Sequence, residues 1–113
     1  MFTEGDWKYI SRLHAVLLEE FSRRLNREVA ELLRRTDITE DEKRHLIYKH
    51  VRARDRDVAD CFNDWKRSNL PITALFLRKH GLLAEHHLRD LSPEAASFLR
   101  EKYPGGKSGV ALE

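Results

Sequence analysis

Cysteine is nearly missing from this chain, with Cys61 the only one in 113 residues. This excludes an internal disulfide and any zinc site built from several thiolates, and it fits a reducing compartment. Glycine and proline are also scarce, at 5 and 3, which argues against turn-rich all-β architectures. The glycines, at positions 5, 81, 105, 106 and 109, form no phosphate-cradling loop, nucleophile elbow or dinucleotide fingerprint. Apolar runs stop at about four or five residues, far below the ~20 needed to span a bilayer. The N-terminus carries acids rather than a basic segment followed by an apolar core. The expectation is a cytoplasmic protein with no membrane partner.

Charge of one sign is lacking too. Against 21 Lys and Arg stand 19 Asp and Glu, leaving a net charge of +2. Residues 40 to 68 hold eight basic and seven acidic residues, so they offer no one-signed field for a phosphate backbone. Nucleic acid is therefore not expected as a partner.

What is present is helical. The composition is 41% hydrophobic and 35% charged, as in a single soluble domain large enough to fold without staples. Trp7, Ile10, Leu13, Leu17, Phe21, Leu25, Val29 and Leu32 fall three or four apart. They predict one helix from about residue 4 to 35, some 45 Å long. Thr39 followed by Glu42 is a capping box, with Glu40, Asp41 and Glu42 at the positive end of the next helix. This second helix is expected to run to about Ser68. The short connection folds it back antiparallel as a hairpin over residues 4–68.

Pro71 and Gly81 bracket a compact apolar helix that holds Ile72, Ala74, Leu75, Phe76 and Leu77. A short helix follows in "LLAEHHLRDL", and Ser92 with Pro93 opens another in "SPEAASFLREKY". The expected architecture is all-α, one domain over residues 1–104. It comprises the hairpin, a helical cap at 71–104 and a disordered tail at 105–113.

The stripe Ile47, Val51, Val58, Phe62, Trp65 is interrupted by Arg54 and Asp55 on the same face. In the hairpin these two come level with Glu20 and Phe21, and Glu20 is a possible partner for Arg54. Either the stripe drifts off its face for one turn, because a repeat near 3.5 does not track 3.6, and leaves both charges in solvent, or the charged layer sets register and partner in a helix-to-helix interface. A hairpin this long also has more surface than about 45 remaining residues can cover, and a second copy is the economical cover.

Candidate chemistry is thin. Glu42 and His45 have the i, i+3 spacing of di-metal bundles but lack the second such pair. His86 and His87 are adjacent and point to different sides of a helix. His14 comes level with Cys61 without an orienting carboxylate, so it is expected to be packed. Cys61 is expected to be a small half-buried side chain rather than a reactive thiol. No catalytic residue, metal, cofactor or small-molecule substrate is expected. Two other readings are a nucleic-acid-binding regulator using residues 71–91 and a metal-dependent enzyme built on His14, Glu42, His45 or His86.

Four segments in order, "NREVAELL", "RDRDVADCFNDW", "LRKHGLL" and "HLRDLSPE", together resemble the fluorescence recovery protein family across about residues 7 to 100. That family combines Arg-Glu-Leu-x-x-Leu-Leu, Ile-Asp-x-x-Tyr-Asp and Glu-Gly-Leu-Val. The matching positions here are Arg27, Glu28, Val29, Leu32 and Leu33, then Val58, Phe62 and Asn63 or Asp64, then Gly81 and Leu82. One extra residue is needed between Phe62 and Gly81.

The resemblance implies an all-helical homodimer without cofactor or enzymatic activity. It would bind photoactivated orange carotenoid protein in photoprotection, speed its return to the orange form and detach it from phycobilisomes. The family's Trp, His, Asp and Arg on the second helix are replaced here by His45, Tyr48, Lys49 and Asp55. The expected relative is thus a divergent one, with a different partner as a further option. Val51, Arg54, Asp55, Val58 and Phe62 are the expected dimer contact, with Arg54 and Asp55 pairing across it. Ile72, Phe76 and Leu77 are the expected surface for another protein.

Overall fold

Thr3 opens the first helix. Its hydroxyl accepts from the Asp6 backbone N–H at 3.0 Å, and the Asp6 carboxylate accepts from the Thr3 N–H at 2.9 Å. This reciprocal cap satisfies two donors that a helix N-terminus otherwise leaves open. In the computed structural model, which describes residues 1–106, the described residues form helices and loops without strands. Helix α1 spans Glu4–Arg12, α2 His14–Leu33, α3 Glu40–Val58, α4 Leu70–Lys79, α5 Glu85–Leu88 and α6 Pro93–Lys102. Most of the tail expected to be disordered, residues 107–113, lies outside the described residues. No helix among the described residues is long and apolar enough to cross a membrane.

Two expected continuous helices are interrupted. The first is broken at Leu13, whose N–H bonds to the Ile10 carbonyl at 2.9 Å in a tightened i to i−3 turn; α2 then resumes with Leu17 N–H on the Leu13 carbonyl at 2.8 Å. The second, expected to reach Ser68, leaves α geometry after Val58. It passes through a wider π turn at Ala59–Asn63 and exits at Asp64 with φ −104° and ψ 52°. A 3₁₀ turn at Arg67–Asn69 leads into α4.

Helices α2 and α3 lie side by side in opposite directions. Lys43 Nζ donates to the Leu33 carbonyl at 3.1 Å, His50 Nε2 lies 2.6 Å from Glu28 Oε1, and Phe21 meets Phe62 edge to face. Thr39 and Glu42 form the reciprocal cap that their spacing predicts, at 2.8 and 3.1 Å. Gly81 ends α4 in the left-handed region at φ 74°. There the Leu82 N–H bonds to the Leu77 carbonyl at 2.8 Å and the Gly81 N–H to the Arg78 carbonyl at 3.0 Å, the bond pattern of a glycine-terminated helix.

The core sits at one end of a molecule measuring 51 by 25 by 20 Å. Its buried side chains include Ile10, Leu17, Phe21, Cys61, Phe62, Ala74, Leu77, Leu83, Leu88 and Leu99. They come from α1, the first half of α2, the π turn and α4 to α6 with their linkers. Between residues 22 and 60 the only buried side chain is Lys43. The far halves of α2 and α3 therefore project from the core as a two-helix arm.

Two buried polar residues hold the globular end. Asp6, 3% exposed, accepts from the Ser92 backbone N–H and from the Ser92 hydroxyl, each at 2.7 Å. It thereby joins α1 to the cap of α6. Arg78, 2% exposed, donates from Nη1 to the Leu83 carbonyl at 2.7 Å and from Nε to the Tyr103 carbonyl at 2.9 Å. Burial, with Arg100 nearby, lowers the Arg78 pKa and Glu85 opposes that shift. A guanidinium starts high enough to stay charged regardless.

Burial raises the Asp6 pKa, but hydrogen bonds from Ser92 and Thr3 outweigh it and hold the carboxyl below its ordinary value. A carboxylate with a depressed folded pKa stabilises fully above its unfolded value, and that stability is lost as pH falls through the folded one. Asp6→Ala should cost about 2 to 4 kcal/mol at pH 7, since it strands buried donors on Thr3 and Ser92. In urea unfolding, the gap between wild type and variant should narrow below about pH 4. A gap independent of pH would refute the role assigned to the ionised form.

Candidate functional site

The charged turn in the stripe of α3 faces the end of α4. Arg54 pairs through Nη1 with Asp57 Oδ2 of its own helix, one turn on. Asp57 Oδ1 lies 3.8 Å from His80 Nε2. Asp60, in the π turn, completes a group in which one donor atom each from Asp57, Asp60 and His80 lie within 4.8 Å of one another.

Spacing and caps explain the convergence. Asp57 and Asp60 are three apart at the α-to-π transition, which leaves both carboxylates on one side of the chain. His80 is the C-terminal cap residue of α4, so its position follows from the glycine stop behind it. Arg24 fixes that stop from α2, donating to the His80 carbonyl at 3.2 Å and the Gly81 carbonyl at 3.1 Å. Glu20 holds Arg24 Nε at 2.9 Å. Glu20 therefore pairs with Arg23 and Arg24 and not with Arg54, because partners one helical turn away meet it without crossing between helices.

Burial lowers the His80 pKa; Asp57 and Asp60 pull it up, while Lys79 and Arg54 push it down. The ring is therefore neutral at neutral pH and carries a free lone pair on one nitrogen. Cys61 is buried beside the two carboxylates, and its thiol is pushed up to about 12, by burial first and then by Asp57 and Asp60. Expected to be half-buried, it is fully enclosed, because the π turn directs both Cys61 and Phe62 inward.

The expected site residues part company. Phe62 is buried in its own chain against Phe21, His14 and Trp65, and Val58 packs on the same core. Phe62 is 7% exposed and Val58 partly buried within the single chain. Val51 is half-buried and Asp55 exposed on the arm. Arg54 pairs with Asp57 of its own chain, while its buried Nε has no hydrogen-bond partner. Of the surface expected for another protein, Ile72 is 54% exposed and Phe76 half-buried, but Leu77 is 0% exposed. The 3.6-residue period turns Leu77 to the core while Ile72 faces out.

Other candidates are occupied otherwise. His14 stacks edge to face on Trp65 at 4.4 Å. Glu42 is spent in its cap and His45 is exposed. His87 Nδ1 accepts from the Ala84 N–H at 2.9 Å, and His86 stands exposed beside it. Helix α5, within the segment considered for nucleic acid, is a single turn whose Glu85 is bound by Arg100 at 2.6 Å.

Sequence reasoning passed over Asp57, Asp60 and His80. The i, i+3 pair of aspartates was a visible signal, but nothing local ties His80 to residues 20 or more positions earlier. Compared with protein-family models, curated proteins and solved structures, the chain matches none.

A thiol this deeply enclosed and this weakly acidic should resist reagents. An aromatic disulfide added at pH 7 should label Cys61 only as fast as the chain opens, and completely in urea. Prompt labelling of the folded protein would contradict its placement.

Proposed function

We propose that this protein is a non-catalytic helical homodimer that binds another protein, and that two copies meet along the α2–α3 arm. One observation carries the reading: α3, 19 residues long, buries a single side chain within its own chain, and that side chain is a lysine. Helices in water depend on packing an apolar face rather than on intrinsic propensity. On this arm Leu33 and Tyr48 are 56% and 55% exposed, and Leu46, Ile47 and Val51 are only half-covered.

A second copy is the occupant that fits. Two such arms related by a two-fold axis make a four-helix bundle, a closed assembly in which the same strip faces itself. Charge leans toward the antiparallel arrangement: residues 40–44 carry three acids against two bases, and residues 52–57 three bases against two acids. Running one α3 against another sets the acidic end of each toward the basic end of its mate. The contact strip then comprises Tyr48, Val51 and Asp55 rather than Val58 and Phe62.

Light scattering of the purified chain should give twice the 13.3 kDa of one protomer. Tyr48→Glu and Val51→Glu, which remove little from the protomer's own core, should each shift the mass toward monomer. A wild-type mass of one chain across micromolar concentrations would refute the assembly.

The resemblance to fluorescence recovery proteins supports a partner of the orange carotenoid protein class, with Ile72 and Phe76 on the outer face of α4 as the contact. Dark recovery of photoactivated orange carotenoid protein, followed by absorbance, should be faster with this protein than without it. It should return to the basal rate with Ile72→Glu. Unchanged recovery with the wild-type chain would exclude that partner while leaving the dimer to its own test.

A further inference from the structure

The group at the junction of the π turn and α4 has a chemistry that protein binding does not use. Two carboxylates and an imidazole from separate elements converge, with donor atoms within 4.8 Å of one another and the Asp57 to His80 pair at 3.8 Å. Donors around a tetrahedral zinc ion, at bonds of about 2.0 to 2.2 Å, stand roughly 3.4 Å apart. Closing this group onto an ion therefore needs side-chain movements on the order of 1 Å. Its mixed nitrogen and oxygen donors suit zinc or its neighbours better than calcium or magnesium, which ask for more oxygens and little nitrogen.

The site is held from outside its own donors. Arg24 ties the carbonyls of His80 and Gly81 to α2, and Asp57 and Asp60 share one stretch of backbone. The resident cation is Arg54, on Asp57. Its Nε is buried and has no hydrogen-bond partner, so this guanidinium is only partly satisfied where it lies, and its removal strands little. We propose that Asp57, Asp60 and His80 bind a divalent transition-metal ion of the zinc class, and that Arg54 yields Asp57 when the ion enters.

The test is calorimetric titration of the chelator-treated full chain with zinc chloride, together with the visible absorption of the cobalt(II) form. The expected result is one ion per chain, with cobalt bands typical of low coordination and a rise in melting temperature. His80→Asn and Asp60→Asn should each weaken binding by about tenfold or more, while Arg54→Met should strengthen it by removing the competing cation. His86→Asn, which replaces an exposed imidazole on α5, should leave it unchanged. Melting curves of each variant without metal distinguish lost ligands from lost folding. No binding by wild type or Arg54→Met up to about 100 μM metal would overturn the site. Binding that survives both His80→Asn and Asp60→Asn would overturn it equally.

Discussion

The carboxylate of Asp6 closes the globular end of the molecule. It caps α1 through Thr3 and at the same time accepts two hydrogen bonds from Ser92, 86 positions later. A buried carboxylate is costly unless its lone pairs are filled, and here three donors fill them. The position of α6 is set by that need, and with it the placement of Ala95, Ala96 and Leu99 in the core. Arg78 does the matching work at the opposite end of α6. Its fork takes the carbonyls of Leu83 and Tyr103, which the turns after α4 and α6 leave without helical partners. Between these two clamps the short helices have little freedom to slide.

That arrangement concentrates burial and leaves the arm behind. Most apolar side chains of the cap pack on α1, the start of α2 and the π turn, while Ile72 turns outward and Leu25 of α2 lies at the margin of the core. No apolar side chain between residues 26 and 56 is buried. Lys43 illustrates the consequence, for its side chain lies along the arm while its ammonium caps the Leu33 carbonyl and meets Glu40 at 3.3 Å. Amphipathic side chains often cover apolar surface in this way, but one lysine covers little. The arm's many ion pairs, Arg44 with Asp41 and Arg34 with Glu31 among them, are exposed, and each adds only a few tenths of a kcal/mol.

Local chemistry was legible in the sequence wherever one turn of backbone decided it. Thr39 with Glu42, Gly81 behind α4, and Ser92 with Pro93 all mark helix ends through bonds made within a few residues. The break at Leu13 and the π turn at Ala59 gave no such mark. Neither contains glycine or proline, and the 3.6-residue pattern runs through both. At the π turn packing opens the helix: it admits Cys61 and Phe62 together to a core that an unbroken helix would show to only one face. The same distinction explains the site. Arg54 and Asp55 stood out because they interrupted a stripe, while His80 came to Asp57 through the fold of α4, which no local pattern encodes.

Arg54 lies where the two readings of this protein meet. It stands at the end of the arm and also at the edge of the group formed by Asp57, Asp60 and His80. One guanidinium at this position binds one carboxylate well, because turning toward a second moves its fork out of the plane of the first. A carboxylate from another chain that drew Arg54 outward would leave Asp57 with less positive charge beside it, and a metal ion at Asp57 would release Arg54 toward such a carboxylate. Assembly and cation binding would then favour one another, since linkage between two binding equilibria is reciprocal. The charged turn in an otherwise apolar stripe is therefore more than a gap in the packing: it sets a half-exposed guanidinium beside Asp57 at the end of the arm.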